Sequence, residues 1–115
     1  MSATLFEKIW TNHVVTDRDD ESLIYVDRVL LQENSFHAFD KIRREQRSVR
    51  NPAQAFAFSD HYVPTRNREL GLGGITDPEI RNMVELIASD TDAYGIELFG
   101  IGHDYQGILH VVGPE

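Results

Sequence analysis

Between Thr76 and Gly95 lies a helical pattern with both ends marked, and on each side of it stands a short apolar run: "AQAFAFS" (residues 53–59) before and "IELFGI" (residues 96–101) after. Ile80, Met83, Val84, Ile87 and Tyr94 recur at helical spacing. Pro78 suits a first helical position behind an Asp77 cap, with Thr76 and Glu79 as a competing capping box. Gly95 is the natural stop. Strand, helix, strand in this order constrains the fold more than any other feature, because neighbouring parallel strands need a crossover connection. The expectation is an α/β chain with a parallel or mostly parallel sheet and flanking helices.

The N-terminal half carries the same alternation. Thr4 and Glu7 have capping-box spacing, followed by Leu5, Phe6, Ile9 and Trp10 as the apolar side of a short helix. Thr16–Ser22, "TDRDDES", reads as a polar acidic loop. "SLIYVDRVLL" (residues 22–31) is rich in strand formers but carries Asp27-Arg28 in its middle, so it reads as one broken strand or a strand leading into a turn. Ser35 stands where it can cap a helix through "FHAFDKIRR", with Ala38, Phe39 and Ile42 inward. Residues 64–74 read as a loop loosened by Gly71, Gly73 and Gly74. "GILHVV" (residues 107–112) is strand-like by propensity, though short enough to be a helical turn.

With 115 residues, the chain has the length of one domain. It has no cysteine, which removes disulfides, thiolate nucleophiles and thiolate metal sites. A net charge of −8 argues against nucleic acid as a partner; the basic stretch Arg43–Arg50 reads as a solvated helix end and loop. No apolar run is long enough to span a bilayer, and no secretory leader pattern is present, so no membrane association and a cytoplasmic location are expected.

Two histidine–carboxylate pairs follow strand segments: Asp60-His61 after "FAFS" and His103-Asp104 after "IELFGI". Parallel sheets bind ligands beyond the carboxyl ends of their strands. A carboxylate beside an imidazole can orient it, fix its tautomer and raise its basicity, as acid–base work requires. Adjacent strand residues point to opposite faces, so Asp60 and His61 cooperate only if the strand has ended, which Pro64 favours. Against this stands an ordinary surface or capping role for the pair. His61, His103 and His110 could together hold a metal, but they lack compact ligand spacing. "GLGG" (residues 71–74) lacks the spacing of a phosphate loop and reads as a connector. His13 and His37 fall in helical segments and read as structural.

The ordered set "TLFEKIW", "LIYVDRVLLQE", "FSDHYVPT" and "YGIELFGIGHDYQGILHVVGPE" resembles the N-terminal part of the large subunit of 3-isopropylmalate dehydratase, of the aconitase superfamily. The resemblance runs over essentially the whole chain, which is read as a single partial α/β domain over residues 1–115. It implies a hydro-lyase or isomerase of leucine biosynthesis. Such an enzyme removes a hydroxyl from a 2-hydroxy acid and returns it to the neighbouring carbon through an enoate. It also implies a 4Fe-4S cluster acting as Lewis acid in the complete enzyme.

Carried over by the same resemblance, Asp60 and His61 help protonate the departing hydroxyl, and His110 is an active-site group. Gln32 is a substrate-contacting side chain, in the form the aconitases have. The family's cluster-ligating cysteines have no counterpart, so no metal ligand is expected in this chain. The partners implied are the remaining large-subunit segments and a small, swivelling-domain subunit. Catalysis by this chain alone is not expected, and uncovered sheet surface is expected to promote self-association. A different class of reading is a free-standing module that keeps the fold, has lost the chemistry and serves binding or assembly.

Overall fold

The computed structural model describes residues 2–115. In chain order the elements are α1 (Leu5–His13), β1 (Val14–Arg18), β2 (Glu21–Ile24), β3 (Val29–Leu31), α2 (Phe36–Arg44), β4 (Ala55–Phe58), α3 (Pro78–Tyr94), β5 (Glu97–Phe99) and α4 (Leu109–Val112). Three short 3-10 segments, Glu33–Ser35, Pro52–Gln54 and Arg68–Gly74, lie between them.

The expected parallel sheet is β3-β4-β5, every pairing parallel, with Leu30 opposite Phe56 and Phe58 opposite Phe99. Strand order follows chain order, so right-handed crossovers place α2 and α3 on one face. Their contacts agree: Phe39 stacks on Tyr94 at 5.7 Å, and Arg43 pairs with the buried Asp90. Arg43 is therefore a tie between helices, more than the solvated helix end read from the sequence.

The core beneath these helices comprises Phe39, Ala55, Ala57, Ile87 and Ile96. Small Ala55 and Ala57 on β4 let the helices approach the sheet closely, which accounts for alternating alanine and phenylalanine in "AFAF". Phe56 and Phe58 face the other way, and Phe58 stacks on Phe99 at 5.1 Å. On that second face Val112 to Glu115 line a pocket together with Leu30, Phe56, Phe58 and Phe99. Gly113 packs there so tightly that a Cβ would come within 2.7 Å of the Leu109 carbonyl and of a Leu30 methyl.

Asp77 caps α3, its side chain accepting from Glu79 N–H (2.8 Å) and Ile80 N–H (3.2 Å), so the competing box at Thr76 is not used. Gly95 terminates the helix at φ 68°, a conformation only glycine adopts cheaply. The Thr4–Glu7 capping box forms as read.

Several expectations are corrected. Thr16–Ser22 is not a loop: it lies in the antiparallel hairpin β1-β2, turned at Asp19 (φ 54°). Cross-strand pairing overrides its polarity because the hairpin is solvent-exposed on both faces. "SLIYVDRVLL" is broken around Asp27-Arg28 as read, and its two pieces, β2 and β3, belong to different sheets. Ser35 makes no side-chain cap on α2; its hydroxyl accepts from Gln32 N–H at 3.1 Å. "GILHVV" resolves as the helical turn α4, and residues 68–74 as a 3-10 segment interrupted at Gly71. The apolar side of α1 is largely exposed: Leu5 is 74% and Phe6 68% exposed, with Phe6 stacked on Trp10 of the same helix.

Candidate functional site

Gln32, Asp60, His61, His103 and His110 stand at the carboxyl ends of the parallel strands or beyond them. β3 delivers Gln32 and Glu33, β4 delivers Ser59 to His61, and the turn after β5 delivers His103 to Gln106 and then α4. β4 ends at Phe58, so Asp60 and His61 are free of strand alternation and their side chains meet.

Asp60 Oδ1 lies 2.5 Å from His61 Nδ1. A carboxylate only accepts, so Nδ1 carries the hydrogen and Nε2 is left to exchange a proton. The other Asp60 oxygen accepts from Leu109 N–H at 2.8 Å. One nearly buried carboxylate thus orients an imidazole and also anchors α4, on which His110 is the next residue. The hydrogen bond that His61 donates to Asp60 holds the His61 proton to higher pH than usual; burial opposes this, and the charges of Asp60 and Glu33 add to it.

Glu33 was not singled out from the sequence. It is 0% exposed, and its carboxylate accepts from the N–H groups of His61 (3.2 and 3.3 Å) and Tyr62 (3.2 Å). Its signature was present: a carboxylate just past a short apolar strand, as at Asp60. Gln106 was also missed. Its Nε2 donates to the Ser59 carbonyl at 2.7 Å, its Oε1 accepts from Arg68, and so the turn after β5 is tied to the end of β4. Asp60, Thr65, Arg68 and Gln106 line a pocket of about 180 Å³.

Gln32 is half-buried beside Glu33, and its Oε1 accepts from Asn34 N–H at 3.1 Å, capping the turn that follows β3. His103 is not drawn to the pair: its ring packs edge-on against Phe99 and its Nδ1 accepts from Tyr105 N–H. The three histidines do not form a metal site among the described residues. Among the described residues the only cluster with ligand atoms mutually within 4.8 Å is Glu33, Asp60 and His61, and those carboxylates and Nδ1 are engaged in protein hydrogen bonds. With no thiolate in the chain, its residues do not fit an iron–sulfur cluster. His13 is structural, bonded through Nδ1 to the Ile9 carbonyl and through Nε2 to Asp27. No helix among the described residues is long and apolar enough to cross a membrane.

The arrangement provides an oriented, proton-holding imidazole at the rim of a parallel sheet, and its orienting carboxylate lines a pocket that contains a guanidinium. The His110 side chain, on α4, is exposed and makes no hydrogen bond to the pair among the described residues. Compared with known proteins, residues 7–115 match the model of the Aconitase family (aconitate hydratase). No solved structure matches the chain.

Proposed function

The chain belongs to the aconitase family, and from that premise we propose that it supplies the proton-donating part of a hydro-lyase or isomerase of the 3-isopropylmalate dehydratase type. The reading is carried by the Asp60–His61 pair, whose carboxylate also holds α4 and the His110 backbone through Leu109. In this reading His61 donates from Nε2 to a departing hydroxyl while Asp60 stabilises the imidazolium. His110 lies at the same rim as an active-site group, and Gln32 contacts substrate from the end of β3. Arg68 gives the adjoining pocket the charge that a 2-hydroxy dicarboxylate needs.

This chain has no thiolate with which to ligate a cluster. The proposed partners are therefore cysteine-bearing large-subunit segments and a small subunit. A cytoplasmic role in leucine biosynthesis belongs to the same proposal.

The test is co-expression with those segments and the small subunit, followed by ultraviolet detection of enoate formation. The expected result is turnover that drops by a factor of about 10² or more in His61→Ala, the usual scale of a general acid. Full activity in His61→Ala would remove the role assigned to His61. The exposed apolar residues of α1 and β2 favour a second reading, a binding or assembly module without catalysis. That reading predicts a complex with the same segments but no enoate.

A further inference from the structure

Among the described residues no lysine or arginine lies within 4.0 Å of the buried Glu33 carboxylate. A carboxylate removed from water without a cation is unfavourable unless backbone donors replace the lost hydration. Two consecutive N–H groups, those of His61 and Tyr62, do so here. The donors belong to the very backbone from which the imidazole hangs. Glu33 reaches them from 28 residues earlier in the chain, at the end of a neighbouring strand, so the contact is tertiary.

The same carboxylate lies 3.9 Å from His61 Nδ1, which already bonds to Asp60, so two carboxylates flank one imidazole. The other groups near this turn are the Tyr62 ring at 6.3 Å, and Arg68 and Gln106 in the pocket lined by Asp60. We propose that Glu33 is a positioning residue for His61, locking the backbone at His61 and Tyr62 and, with Asp60, keeping the imidazole charged for donation through Nε2. The inference rests on the reading of His61 as proton donor, but it can be tested without turnover.

The experiment follows the His61 ring by nuclear magnetic resonance as pH is varied, in the wild-type chain and in Glu33→Gln. The amide keeps an acceptor for the two N–H groups and loses the charge, so a role limited to filling space would leave the His61 titration in place. The expected result is a His61 midpoint moved to lower pH, with His61 and Tyr62 amide resonances shifted and the rest of the spectrum retained. An unmoved midpoint in a folded Glu33→Gln overturns the proposal. Should that variant not fold, amide hydrogen exchange on the wild-type chain decides. Protection at His61 and Tyr62 supports the lock, and exchange as fast as at exposed Asn67 overturns it. Whether His61 performs chemistry is answered separately by the His61→Ala assay, so the two failures are distinguishable.

Discussion

At the scale of single residues, one carboxylate is shared between an imidazole and a helix turn. Asp60 raises the pH at which His61 loses its proton, so the folded chain binds that proton more tightly than the unfolded one. The sign follows. The stabilisation is fully present below the ordinary histidine value of about 6.5 and is lost as pH rises through the higher folded-state value. Urea midpoints from about pH 5 to about pH 9 for wild type and His61→Gln should show this. The wild-type advantage is expected to shrink on the alkaline side; a constant difference would contradict it. His13, held protonated by the Ile9 carbonyl and then by Asp27, contributes a slope of the same sign, which cancels in the comparison.

At the scale of elements, the ends of α3 and the seat of α4 test the fold most directly. Asp77 satisfies two amides at the start of the longest helix, so Asp77→Ala is expected to lower stability by about 1 kcal/mol, readable as a lower thermal midpoint. Asp77→Asn or Asp77→Ser should recover most of it. Gly113 is required by close approach, since its φ of −61° suits any residue. Gly113→Ala would set a methyl against the Leu109 carbonyl and Leu30, so α4 should lift from the sheet. The expected readout is a weakened Leu109–Asp60 bond: faster amide exchange at Leu109 than in wild type. Unchanged exchange would mean that α4 is held by other contacts.

At the scale of the molecule, one face of β3-β4-β5 lies under helices and the other is covered mainly at one end. α1 and the β1-β2 hairpin add Leu5, Phe6, Ile9 and Leu23 to the exposed apolar surface. Exposed apolar side chains in this number favour association where they adjoin one another. The isolated chain is therefore expected to bind an exposed-hydrophobe dye and to grow in apparent mass with concentration in light scattering. Replacing Phe6 and Ile9 by glutamate should reduce both effects. A monomer at every concentration, without dye binding, would contradict this expectation.

Local chemistry made much of the fold legible in advance. Thr4, Asp77 and Gly95 mark helix ends through bonds within a few residues of themselves, and the period of α3 and the run "AFAF" declare which side is apolar. The strand–helix–strand order then dictated parallel pairing, and the absence of cysteine excluded thiolate ligands. The site was legible only in part, because a dipeptide such as Asp60-His61 does not state what surrounds it. Folding alone brought Glu33 to His61 from 28 residues away and the Leu109 amide to Asp60 from 49, and tied Gln106 to the adjoining Ser59 across 47. Tertiary packing also made "GILHVV" a helical turn and Thr16–Ser22 part of a hairpin, since short segments without strong periodicity take the conformation their neighbours can satisfy. The sequence determined which elements form and which chemistry is excluded. Only the tertiary structure decided which side chains share a site, because hydrogen bonds between distant residues depend on where three strand ends converge.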